Sequence, residues 1–156
     1  MMDHHIAQIN IAQAKDSMDS ETMADFVAQL DEINALAEGT PGFVWRLKTE
    51  DGNATSLRPF DDEFIIVNMS AWENIEALYQ YVYYSGHAEV YRRRREWFNV
   101  LKNPAVAMWW IPVGHIPTID EAKQKLQLLE RLGPTPLAFT FKQQFAVQEM
   151  LTYQQS

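Results

Sequence analysis

The chain has 156 residues, 47% hydrophobic and 22% charged, with a formal net charge of −8; this is the composition of one folded domain with a core of its own, and not of a disordered chain. Cysteine is absent, which excludes thiol nucleophiles, disulfides and cysteine-based zinc sites. The N-terminus lacks a signal-peptide pattern and no apolar run is long enough to span a bilayer, so the expectation is a cytoplasmic protein with no membrane partner.

Acids outnumber bases 21 to 13, and four of those bases stand together at Arg92–Arg95. A duplex-binding surface needs a basic stripe, and one tetrad in an acidic protein does not supply it, so no nucleic-acid partner is expected.

Residues 6–12 alternate, with Ala7, Ile9 and Ile11 on one side and Gln8 and Asn10 on the other, which predicts a half-buried strand. From about Ser20 to Glu38, the residues Met23, Phe26, Val27, Leu30, Ile33 and Ala37 recur at helical spacing, and Gly39 with Pro41 stops them. Residues 43–48 read as a second strand, 49–62 as a polar, turn-rich connection, and 64–69 as a third strand. Ser70-Ala71-Trp72-Glu73 has the spacing of a capping box, opening a helix that buries Trp72, Ile75, Leu78, Tyr79 and Val82.

The next stretch, residues 85–101, reads S-G-H-A-E-V-Y-R-R-R-R-E-W-F-N-V-L. Wound as a helix, it gathers Val90, Tyr91, Trp97, Phe98 and Leu101 on one face with His87 and Arg94 in their midst. Glu89–Arg93 and Arg92–Glu96 then become i,i+4 pairs on the outer face. An arginine centred on an apolar stripe is costly unless an anionic or hydrogen-bonding group meets it. Pro104 ends this helix and residues 105–111 form a fourth strand. A second capping box, Thr118-Ile119-Asp120-Glu121, opens a helix carrying Ala122, Leu126, Leu129 and Leu132, closed by Gly133-Pro134. An extended piece at 138–141 follows, and the Gln-rich end is expected to fray.

Strand, helix, strand, strand, helix, strand is the order of a ferredoxin-like split βαβ antiparallel sheet with helices on one face, α+β in class, here with an extra C-terminal helix. One domain over residues 1–156, with its core at about 5–145, accounts for the chain. The fourth strand is apolar on both sides, Val106, Met108 and Trp110 against Ala107, Trp109 and Ile111. A sheet face so apolar would not be left open, and a homodimer closing two sheets into a barrel would cover it.

The run A-W-E-N-I-E-A-L at 71–78 resembles the strand-to-helix junction of the dimeric α/β-barrel superfamily, which includes antibiotic-biosynthesis monooxygenase-like and haem-degrading proteins. More specifically, G-H-A-E-V-Y-R-R-R-R-E-W-F at 86–98, G-H-I-P-T at 114–118 and G-P-T-P-L-A-F-T-F at 133–141 resemble a bacterial family described as domain of unknown function 3291. The resemblance spans Ile6 to about Phe145. It implies a ferredoxin-like dimer, no established reaction, and a ligand pocket between the helical layer and the sheet of each subunit. Haem-degrading relatives use a helix histidine, an upstream tryptophan and a first-strand asparagine. Asn10 matches the asparagine, Tyr91 and not His87 falls near the histidine, and the tryptophan has no clear counterpart.

In this reading His87 and Arg94 are the catalytic candidates, as proton acceptor and charge stabiliser. The plainer reading makes His87 an inter-helix cap and sends Arg94 to a carboxylate such as Glu63 or Glu73. Gln8, Asn10, Asn68, Tyr91, Trp97, Trp110 and His115 are the substrate-binding candidates; the tryptophans equally suit the core, and His115 equally suits a turn that anchors the next helix. No metal is expected, since His87 and His115 lack a ligand partner three or four residues away. A small-molecule-binding, cofactor-independent enzyme follows, acting by oxygenation, isomerisation or cyclisation on a partly apolar substrate with a carbonyl or acidic oxygen. The alternatives are a non-catalytic binding or accessory dimer, and haem binding.

Overall fold

The computed structural model describes residues 3–17, 19–47, 65–84, 92–99, 101 and 105–153. Its elements are β1 (His4–Ala14), α1 (Ala24–Glu38), β2 (Phe43–Arg46), β3 (Ile65–Trp72), α2 (Ile75–Tyr84), α3 (Arg94–Trp97), β4 (Phe98–Asn99), β5 (Val106–Pro112), α4 (Ile119–Leu132) and α5 (Val147–Tyr153). The turn-rich stretch 49–62, Glu63, Gly86, Glu89, Val90, Pro104 and the candidates His87 and Tyr91 lie outside the described residues.

β1 is the centre of an antiparallel sheet. β3 runs along one of its edges from Ile6 opposite Trp72 to Gln13 opposite Ile65, and β5 along the other from His4 opposite Pro112 to Asn10 opposite Val106. β4 continues the second edge at Gln13–Asn99 and Ala14–Phe98, and β2 pairs with the outer edge of β3. The order β2-β3-β1-β5 is that of the ferredoxin-like fold expected from the element order.

Directly paired residues in an antiparallel ladder share a face, so the register sorts the side chains. Ile6, Gln8, Asn10 and Ala12 face the same way as Trp72, Ser70, Asn68 and Ile66 and as Trp110, Met108 and Val106. This face carries α1 and α2: Ala37, Leu78 and Tyr81 pack with Ile6, Trp72 and Met108, while Phe26, Leu30 and Ile33 pack with Ala12, Ala14, Ile66 and Trp97. On the opposite face Ala7, Ile9, Val67, Met69, Ala71, Ala107, Trp109 and Ile111 form one buried cluster with Ala122, Leu126 and Leu129 of α4. The apolar second face that prompts the expectation of a dimer is thus covered by a helix of the same chain.

Local chemistry explains where the elements stop. α1 ends at Gly39, whose amide returns to Ala35 and Ala37. Gly42 has φ +89° and lies so close to Ala77 that a Cβ there would come within 2.5 Å of it, so the turn into β2 admits glycine alone. Thr118 and Glu121 form the expected capping box, and Gly133, at φ +73°, closes α4. Leu132, the last apolar residue of that helix, is 55% exposed beyond the last packed turn.

Three expectations are corrected. Ser70, Ala71 and Trp72 are strand and not helix cap, because their backbone continues the β1–β3 ladder; α2 is capped instead by Asn74, whose Oδ1 accepts from the Ala77 amide at 2.8 Å. The helix predicted to reach Leu101 ends at Trp97. Phe98 is extended and joins β1, so strand pairing overrides helical spacing at this point. Part of the Gln-rich end, expected to fray, forms α5 over Val147–Tyr153, held by the buried Met150.

Candidate functional site

Two aromatic clusters occupy the ends of the α1/α2 face and leave a polar stretch of sheet between them. Its centre is Gln8, 7% exposed. A buried amide without partners costs about 1–3 kcal/mol, so its hydrogen bonds matter. Gln8 Nε2 donates to Asn68 Oδ1 and to Ser70 Oγ, both at 2.8 Å. The indole of Trp72 also donates to Ser70 Oγ, from Nε1 at 2.8 Å. The chain Trp72–Ser70–Gln8–Asn68 therefore runs from the buried end of β3 to its middle, where Asn68 is exposed although its strand has neighbours on both edges.

Asn10 stands opposite Asn68 and is half-buried. Among the described residues, its side-chain amide, Asn68 Nδ2 and Gln8 Oε1 make no hydrogen bond to protein. The floor thus presents neutral donors and acceptors to whatever lies above it.

The walls differ in character. At one end Trp72 lies 5.1 Å from Tyr81 in a stacked pair and 5.4 Å edge-on from Phe43, with Ile6, Met108 and Trp110 alongside. Trp110 is half-buried and its Nε1 donates to the Phe145 carbonyl at 2.8 Å. At the other end Trp97 is buried against Phe26 at 5.4 Å and Phe98 at 6.3 Å, with the Arg93 guanidinium 4.7 Å above its ring. The protein thus already takes up the whole surface of Trp97.

Charge enters from β2. Arg46 stands opposite Ser70, is 11% exposed along its side chain, and places Nε 2.9 Å from Glu38 Oε2. Burial pushes the Tyr81 phenol far above its ordinary range, against the nearby positive charge of Arg46, so Tyr81 stays protonated and donates to the Ile33 carbonyl at 3.2 Å.

The tetrad resolves differently from the helical-wheel expectation. Arg93, expected on the outer face, bonds Glu96 at 2.8 Å and Asp25 at 3.1 Å and caps the Trp97 ring. Arg94 is half-buried in α3, and Arg92 and Arg95 are exposed.

His115 belongs to the other side of the molecule. Its Nε2 is 2.8 Å from Glu121 Oε1, while Glu121 Oε2 accepts from Trp109 Nε1 at 2.7 Å. Burial would raise the Glu121 carboxyl, but bonds from His115, Trp109 and Thr118 outweigh it and hold the group below its ordinary range. Glu121 thus ties α4 both to Trp109 of β5 and, through His115, to the loop between them.

The structure therefore brings Gln8, Asn10 and Asn68 together on one floor and sets Trp110 and Trp97 in the two walls. Sequence reasoning missed Ser70, Trp72, Arg46 and Tyr81. Asn68, Ser70 and Trp72 sit at strand period, a signal that would have been readable had the strand been extended past residue 69. Among the described residues, no three His, Asp or Glu side chains lie close enough together to hold a metal ion. Nor is any described helix long and apolar enough to cross a membrane.

No curated protein matches the chain. Among solved structures, it is similar to SnoaB, a cofactor-independent oxygenase from Streptomyces nogalater, with 16% identity over 75% of this chain and 97% of that one, at a TM-score of 0.47. A variant of SnoaB gives 14%, 72%, 95% and 0.47 for the same measures. A protein of unknown function from Nitrosomonas europaea, NE2512, is 10% identical over 76% of this chain and 97% of its own, at a TM-score of 0.45. The family model described as Domain of unknown function (DUF3291) matches residues 5–155, and the chain belongs to that family.

Proposed function

We propose that this protein binds a partly apolar organic molecule with a carbonyl or acidic oxygen in the space over Gln8, Asn10 and Asn68, and transforms it without a cofactor. The observation that supports this reading is the uncharged amide floor, open at Asn68 and framed by two aromatic clusters. Apolar walls with a few placed polar groups are the general character of small-molecule sites.

The chemistry suited to such a floor is enolisation. A proton leaves the carbon next to the ligand carbonyl, and neutral donors hold the oxygen as it gains charge. In this proposal His87 takes the proton, Arg94 stabilises the charge, and Tyr91 and Trp110 border the ligand. The enolate then takes the proton back at another carbon, closes a ring onto a second carbonyl, or adds dioxygen, which is reduced to a peroxide as the new carbon–oxygen bond forms. A second copy of the chain is part of the proposal as a homodimer, whose stoichiometry sedimentation would give. The second reading, a binding protein without turnover, uses the same floor. Haem binding is the third, and a Soret band on haem titration would select it.

The test is a thermal-shift panel of aryl ketones, β-diketones and aryl carboxylates. Ketones and diketones should raise the melting temperature of the wild type, and Asn68→Leu should shrink that rise while lowering the unliganded melt only slightly, through the acceptor that Gln8 loses. A panel that stabilises neither protein, or both equally, would remove this floor from consideration.

A further inference from the structure

The Ser70 hydroxyl has an unusual set of neighbours. An alcohol oxygen has two acceptor positions and one proton to give. Both acceptor positions are filled from inside the protein, one by Trp72 Nε1 and one by Gln8 Nε2, each at 2.8 Å. An indole N–H can donate but cannot accept, so the Trp72 bond leaves no choice of direction. With Cβ and two donors in place around the oxygen, the hydroxyl proton must take the remaining tetrahedral direction.

Ser70 is 6% exposed, and among the described residues no acceptor receives that proton. The residue facing it across the ladder is Arg46, which has donors alone to offer. A buried donor left without an acceptor is costly, and the cost is removed when an acceptor arrives. Two hydrogen bonds accepted by the same oxygen also polarise its O–H, making it a stronger donor than an isolated serine.

We infer that Ser70 is a ligand-binding residue, a donor held in a fixed sense by Trp72 and Gln8 and reserved for an acceptor oxygen of the ligand. Resting on the ligand site proposed above, this narrows the ligand class to molecules presenting a carbonyl or enolate oxygen. An alcohol can meet this donor as well, but a carbonyl oxygen does so with no proton of its own to place in the site. Trp72 and Gln8 act through Ser70 and are positioning residues.

The experiment uses 2-acetylnaphthalene carrying 13C at the carbonyl, bound to the whole chain, with affinity read from tryptophan fluorescence and hydrogen bonding from the infrared carbonyl band. The band should fall on binding to the wild type and to Ser70→Thr, which keeps the hydroxyl. It should rise in Ser70→Ala and Ser70→Cys, with affinity weaker by about tenfold, the worth of one hydrogen bond. Ser70→Cys is nearly isosteric and keeps the measurement available should Ser70→Ala fail to fold. The matched alcohol, 1-(2-naphthyl)ethanol, should bind the wild type more weakly than the ketone. A band at one position in wild type and Ser70→Cys, with equal affinities, would overturn the role of Ser70 and leave the ligand site standing. Absence of saturable binding to the wild type would overturn the ligand site and this role together.

Discussion

The two faces of one sheet do opposite things here. On the face under α4, small and branched residues alternate with Trp109 and Met69 to make one unbroken apolar layer, and its polar atoms, Trp109 Nε1 and Glu121, are paired at the rim. On the face under α1 and α2 the apolar layer is split in two, and the gap holds Gln8, Asn10, Asn68 and Ser70. Every residue of the gap alternates along β1 or β3 with a residue of the continuous layer. Strand period alone therefore separates the apolar side chains of the continuous layer from the polar side chains of the gap.

The sharpest way to break this division is Trp109→Ala. It should cost about 3–5 kcal/mol in urea unfolding, the usual price of a large-to-small change in a packed layer. A ligand that binds over Asn68 should keep its affinity for whatever fraction stays folded, and a large loss of affinity in that fraction would show the faces to be coupled.

Asn68→Leu is the converse test. It should lower unfolding free energy by about 1 kcal/mol, because Gln8 Nε2 loses one of its two acceptors, while ketone affinity falls about tenfold. A stability loss above 2 kcal/mol would make Asn68 a structural residue.

Glu121→Gln probes the rim of the continuous layer and should cost about 1 kcal/mol through the weakened cap. Because the folded carboxyl titrates below its ordinary range, its contribution is present above the unfolded pKa and is lost as pH falls through the folded value. Wild type should therefore lose stability on acidification below the ordinary carboxylate range by more than Glu121→Gln does, as parallel urea titrations would show. Identical acid limbs would remove this carboxylate from the account.

The smallest effect belongs to Arg93→Met at the far wall. Its bonds to Asp25 and Glu96 are exposed and solvent-screened, so the loss should be the smallest of the four and shrink further in salt. A larger loss that salt does not change would assign its worth to the Trp97 ring contact instead.

Much of this fold is legible in the amino-acid sequence because its signals are local. The alternation of residues 6–12, the Gly39 stop and the Thr118–Glu121 capping box each depend on neighbours within a few positions. Where local patterns compete with pairing, the reading fails. Ser70 to Glu73 has the spacing of a cap, yet Trp72 is drawn into the ladder by Ile6 and Phe43. Phe98 lies at helical spacing from Arg94, yet β1 offers it an edge at Ala14. The site suffers most, since it depends on register: Gln8, Asn10 and Asn68 are legible as polar strand residues, but what puts them on one floor is the pairing of residues some sixty positions apart.

The central place of β1 has a consequence for how the molecule is made. His4 to Asn10 find their partners on one edge at residues 106–112, and Ile6 to Asn10 on the other at residues 68–72, so β1 is completed only when β5, about a hundred positions further along the chain, is in place. Non-local pairing of this kind slows folding, and an apolar strand with open edges invites association with other chains while it waits. Moving β1 behind β5 by circular permutation, which shortens that wait, should speed refolding and raise the yield of native protein without altering a contact in the finished sheet.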